Sequence, residues 1–162
     1  MKIDEARGDF KQLKKLLSSA RTIAVVGLSK NWARPSNFAA KYMQNHGYKI
    51  VPVNPSYTEI LGEKCYANLR EIPFEIDIVD CFRKVEEIPA ILEETSAIKA
   101  KCLWMQLGII DLLSARKAVD LGIEVIVDRC VKIEHARLFG GLNYCGVNTR
   151  VISSKRHQSP QR

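Results

Sequence analysis

Thr22-Ile23-Ala24-Val25-Val26-Gly27-Leu28-Ser29, then Lys30-Asn31-Trp32-Ala33-Arg34-Pro35-Ser36-Asn37, and further on Ile50-Val51-Pro52-Val53-Asn54-Pro55, is the stretch that decides the fold. An apolar run stops at a glycine and gives way to a polar, basic loop. A helical stretch follows, with Phe38, Ala39, Tyr42 and Met43 as its buried stripe, and His46-Gly47 ends it. A second apolar run closes on Asn-Pro. The pattern reads as strand, phosphate loop, helix, strand, the first βαβ unit of a nucleotide-binding sheet. Ile23 to Val26 is apolar on both faces, as suits a central parallel strand covered from each side. Pro35 fits the first helical turn, where its missing N–H costs nothing, and Ser36 or Asn37 is expected to cap that helix.

Upstream, Asp4 to Leu17 is predicted as one amphipathic helix that buries Phe10, Leu13, Leu16 and Leu17. Downstream, strands are predicted over Ile76–Phe82, Lys101–Gln106 and Ile123–Asp128. Helices are predicted over Val85–Ile98, Ile110–Leu121 and Lys132–Phe139, and Lys64-Cys65-Tyr66 as a short extended piece. The alternation gives an α/β class: a doubly wound, mostly parallel, five-stranded Rossmann-like sheet in the order 3-2-1-4-5, with helices on both faces. The organisation expected is an N-terminal helix over 1–20, the domain proper over 21–141, and a basic tail over 142–162. Ligands of such sheets bind beyond the carboxyl ends of the strands. Those ends are Gly27-Leu28-Ser29, Val53-Asn54-Pro55, Phe82-Arg83, Gln106-Leu107-Gly108 and Asp128-Arg129-Cys130.

The 162 residues suit one domain, with 46% hydrophobic and 27% charged residues. No apolar run approaches bilayer length. The N-terminus carries acids and lacks the apolar core of a signal peptide, so the expectation is cytoplasmic. The five cysteines, Cys65, Cys81, Cys102, Cys130 and Cys145, show no CxxC spacing. Reduced thiols are expected, without a disulfide framework or a metal site. Of the net charge of +7, Arg150, Lys155, Arg156 and Arg162 stand in residues 149–162 with no acid. The basicity is largely a tail property, and no aromatic residues interleave there, which argues against nucleic-acid binding.

The first tip carries chemistry. Gly27 lets a diphosphate approach the backbone, Ser29 adds a hydroxyl, and the following helix offers its positive end. Lys30 and Arg34 can reach a phosphate. The dinucleotide fingerprint is incomplete: Ser29 and Trp32 stand where its second and third glycines belong, and no acid ends the second strand. A nicotinamide dinucleotide is therefore disfavoured, and no P-loop pattern starts at Gly27. Glu134 and His135, adjacent on a short helix, point apart, and His135 is expected to be a surface or capping residue. Cys130, after Arg129 and at a helix N-terminus, is expected to have a lowered thiol pKa, so a mixed disulfide with a thiol ligand is open to test. Trp104 and Met105 read as core.

Taken together, Gly27-x-Ser29, Arg34 with Asn37, Val51-Pro52-Val53-Asn54-Pro55, Glu59-Ile60-x-Gly62 and Lys64-Cys65-Tyr66 resemble the stand-alone CoA-binding domain family. Ile78-Val79-Asp80-x-Phe82, Trp104-x-Gln106 with Gly108, and Arg129-Cys130 with Glu134-His135 extend the resemblance from about Thr22 to Gly140. Such domains are similar to the CoA-binding Rossmann domain of the succinyl-CoA synthetase α subunit, whose second, phosphohistidine-bearing domain has no room here. The resemblance implies binding of coenzyme A or an acyl-CoA, with no reaction assigned. It implies Lys30, Arg34 and Arg83 as phosphate partners and Asn54-Pro55 with Phe82 as an adenine and ribose wall. Gln106 is then placed to bond the pantetheine amides. Leu28, Ser36, Asn37, Val53 and Cys130 complete the expected lining. The alternatives are an NAD(P)-linked oxidoreductase, a CoA-handling subunit of a larger enzyme, and a nucleic-acid-associated protein acting through the tail. A second copy of the chain or another protein stays open as a partner.

Overall fold

The computed structural model describes residues 1–140; the basic tail and Cys145 lie outside the described residues. In chain order the elements are α1 (Ile3–Ala6), α2 (Phe10–Ser19), β1 (Thr22–Val26), α3 (Pro35–Asn45), β2 (Lys49–Val53), β3 (Glu59–Ile60), β4 (Glu63–Lys64), β5 (Ile78–Cys81), α4 (Ile88–Ala97), β6 (Cys102–Met105), α5 (Leu112–Asp120), β7 (Glu124–Ile126) and α6 (Val131–Phe139). Five strands form one parallel sheet, and β3 with β4 makes a separate small hairpin.

The sheet is sandwiched because each strand alternates between two cores. Ala24, Val51, Val79, Leu103 and Val125 face one side, under Ile88, Ile91 and Leu92 of α4 and Ala115 and Ala118 of α5. Ile23, Val25, Ile50, Ile78 and Trp104 face the other, under Leu13, Leu16 and Leu17 of α2, Met43 of α3 and Leu138 of α6. The α/β class with helices on both faces is as expected. The strand order is corrected: it runs β2-β1-β5-β6-β7, so the third long strand lies against β1, not outside β2. Two contacts explain this. The outer side of β2 is taken by Tyr66, whose N–H donates to the Pro52 carbonyl (2.9 Å) and whose carbonyl accepts from Asn54 N–H (2.9 Å). The chain entering β5 is tied to the start of β1 by Asp77, which accepts from the N–H groups of Arg21 (2.7 Å) and Thr22 (3.1 Å). The reversal of strand order, and with it the crevice, therefore falls between β1 and β5.

Several boundaries differ from expectation for local reasons. The predicted N-terminal helix is two, because Gly8 turns at φ +69° and Asp9 caps α2 by accepting from Gln12 N–H. Phe10 and Phe38, expected inside, are substantially exposed and instead lie beneath cations, Arg137 and Lys132 respectively. The start of α6 is held by charge. Arg129 donates to Glu134 (2.9 Å) and to the carbonyls of Arg7 (2.6 Å) and Gly8 (3.3 Å), while Arg137 closes on the other oxygen of Glu134 (2.5 Å). This pins α6 to the turn between α1 and α2.

Candidate functional site

The crevice opens where β1 ends. Gly27 adopts φ +82°, and a Cβ there would stand 2.5 Å from Cδ of Arg83 and 2.6 Å from the Phe82 carbonyl oxygen. Only glycine lets the exits of β1 and β5 come this close. The Gly27 N–H is not free for a ligand, since it donates to the Val53 carbonyl (2.9 Å). Among the described residues the N–H groups of Leu28 and Lys30 have no acceptor.

The loop beyond is built on Ser29. Its N–H donates to Oγ of Ser36 (3.1 Å), its carbonyl accepts from Nδ2 of Asn37 (2.8 Å), and its Oγ accepts from Asn31 N–H (3.1 Å). Ser36 and Asn37 thus bind the loop rather than cap α3; Arg34 holds the cap position without a side-chain bond, and Pro35 is the first helical residue. Lys30 and Arg34 are exposed on this loop. Asn54 ties the second tip to the first, donating from Nδ2 to the Leu28 carbonyl (3.0 Å) and accepting Ser56 N–H (3.0 Å).

Two open hollows meet at Gly27. One, of ≈ 320 Å³, is walled by Ser29, Arg34, Pro35, Ser36 and Phe82. The other, of ≈ 380 Å³, has Val53, Asn54, Pro55, Arg83 and Ile91 among its walls. Arg83 is already paired with Glu87 (2.7 Å), whose carboxyl it holds below the usual range. The second hollow also carries Glu94 and Asn68, which sequence reasoning missed. They sit in a loop and on a helix flank with no motif to mark them. Glu94 accepts Leu69 N–H (2.9 Å).

Two expected contributors lie elsewhere. Gln106 is buried and donates from Nε2 to Asp80 (2.6 Å), so it is turned inward rather than toward a pantetheine arm. Cys130 is half-buried at the cap of α6. Burial pushes its thiol up, outweighing the N–H groups of Ile133 and Lys132. Arg129 cannot lower it, being held by Glu134 and two carbonyls. The expected acidic thiol is thus corrected. His135 is corrected too: it is neither exposed nor a cap, but buried beside Tyr42.

Asp80 gives the site's framework a pH dependence. Burial pushes its carboxyl up to about 7 from an ordinary value near 3.8, against the opposing bond from Gln106. Between those values the folded chain holds a proton that the unfolded chain releases. Stability therefore falls as pH rises from about 4 to about 7, by up to about 1.4 kcal/mol per pH unit. Denaturant titrations at pH 5 and pH 8 should show that fall in the native chain and a much flatter profile in Asp80→Asn. Equal slopes would place the titration elsewhere.

Residues 21–136 match a family model described as a CoA binding domain. The uncharacterized protein YneT of Bacillus subtilis is 40% identical over 125 residues, 77% of this chain and 93% of that one. An ADP-forming acetate–CoA ligase of Methanocaldococcus jannaschii is 31% identical over 80 residues, 49% of this chain but 11% of the ligase. The structure of a hypothetical protein from Pyrococcus horikoshii superposes with a TM-score of 0.80 at 34% identity, covering 82% of this chain and 94% of that one.

Proposed function

We propose, from the premise that this chain belongs to the CoA-binding domain family, that its crevice holds coenzyme A or an acyl-CoA, without assigning a reaction. The observation that carries the reading is the pair of open hollows that meet at Gly27, where β1 and β5 end beside a basic loop. The diphosphate lies against Ser29 on the loop after Gly27, with Lys30 and Arg34 as its counter-charges. Val53, Asn54 and Pro55 wall the adenosine, with Phe82 between the hollows. Arg83 reaches the ribose 3′-phosphate by giving up part of its bond to Glu87. Gln106 and Cys130 act behind this lining, through Asp80 and the start of α6. The setting is cytoplasmic; among the described residues no helix is long and apolar enough to cross a membrane.

Thermal-shift and calorimetric titrations with CoA, acetyl-CoA, NAD, NADP and ATP side by side test the reading. CoA and acetyl-CoA should raise the melting temperature with saturation, well above the other three. Preference for a nicotinamide dinucleotide, or no ligand effect, overturns it. Arg34→Ala should weaken CoA binding by about 1–3 kcal/mol, the range of a lost charge-assisted contact. Unchanged affinity would move the phosphates off this loop.

A second reading, a CoA-handling subunit of a larger enzyme, draws on the 80-residue similarity to the acetate–CoA ligase. Co-purification with a chain supplying the remainder of such an enzyme would favour it.

A further inference from the structure

At the opposite edge of the sheet, where β1 and β2 begin, a cavity of ≈ 250 Å³ is lined by Arg21, Tyr48, His46, His135 and Phe139, among others. His46 ends α3 and His135 lies in α6, so only the packing of these helices brings them together. Their ring centroids are 5.0 Å apart, with the planes at 62°.

Both imidazoles are oriented by one residue. Nδ1 of His46 is 2.7 Å from the Tyr42 carbonyl oxygen, which can only accept, so Nδ1 carries the proton and Nε2 a lone pair. Nδ1 of His135 is 3.1 Å from the Tyr42 hydroxyl. With that hydroxyl as acceptor, Nε2 of His135 carries a lone pair as well. Among the described residues neither Nε2 has a hydrogen-bond partner. Two imidazoles that bind one tetrahedral ion at roughly 2.0–2.1 Å hold their centroids about 5 Å apart, the separation found here. A ring N–H given to a carbonyl or hydroxyl is also the support that ligating histidines generally have.

We propose that His46 and His135 form a binding site for a d-block divalent cation of the Zn²⁺ type, with Tyr42 positioning both rings. Among the described residues no group of three or more His, Cys, Asp or Glu could hold a metal ion. The ion therefore keeps open positions for water or an anion, and Arg21 on the same cavity favours an anionic co-ligand.

Calorimetric titration of the full chain with Zn²⁺, together with ¹⁵N NMR of the histidine rings, tests this independently of CoA. One saturable site should appear, with the Nε2 resonances of both rings shifting. His46→Ala, an exposed position, and His135→Ala should each weaken Zn²⁺ at least tenfold. Tyr42→Phe should weaken it by about 10–100-fold through loss of the supporting hydroxyl. CoA affinity of His46→Ala should be unchanged. Absence of saturable binding, or Zn²⁺ affinity that survives either histidine replacement, overturns the site. If His135→Ala fails to fold, His46→Ala and the ring resonances still decide.

Discussion

Glu134→Ala is expected to cost about 3–5 kcal/mol of folding stability, the range for removing one member of a buried ionic group. The side chain is 1% exposed, and each carboxylate oxygen meets an arginine: Arg129 at 2.9 Å and Arg137 at 2.5 Å. Its removal leaves two guanidinium groups in poorly hydrated surroundings with no counter-charge. The loss also loosens Arg129, which otherwise joins α6 to the carbonyls of Arg7 and Gly8. At roughly 2–4 °C per kcal/mol for a domain of this size, the melting temperature should fall by on the order of 10 °C. Urea unfolding curves measure it directly. A loss under about 1 kcal/mol would mean that water reaches the arginines once the carboxylate is gone.

Gly27→Ala should damage both folding and the crevice. The left-handed backbone costs a Cβ-bearing residue about 1–2 kcal/mol. The collision adds about 1–3 kcal/mol more, because one neighbour is backbone, the Phe82 carbonyl, and cannot swing aside as Arg83 can. The expected total is about 2–5 kcal/mol by denaturant titration, together with a fall in CoA affinity of more than tenfold. Gly62→Ala is the control. Gly62 has φ +74° but nothing within 4 Å of the point a Cβ would occupy, so this variant should lose only the conformational part and keep its ligand affinity. Equal behaviour of the two variants would remove the close approach of β1 and β5 as the reason for Gly27.

Much of the architecture was legible locally. Apolar runs covered on both faces marked parallel strands, and Cys81, Cys102, Trp104 and Met105 are all buried in them, as their setting implied. The glycine after the first strand and the basic loop marked the carboxyl end of the sheet, where β1 and β5 exit side by side. Other features were decided by partners far away in sequence. Ser36 and Asn37 have side chains suited to a cap, yet both grip Ser29 instead. Gln106 sits at a strand tip, but a buried carboxyl 26 residues away claims it.

Composition and spacing were enough to establish an α/β domain with a glycine and a basic loop after its first strand, because periodicity and glycine stereochemistry act within a few residues. Which strand lies beside β1, which carboxylate each arginine meets, and the meeting of His46 with His135 came only with the assembled fold. Chemically equivalent partners are chosen by distance through space, and sequence order does not encode that distance.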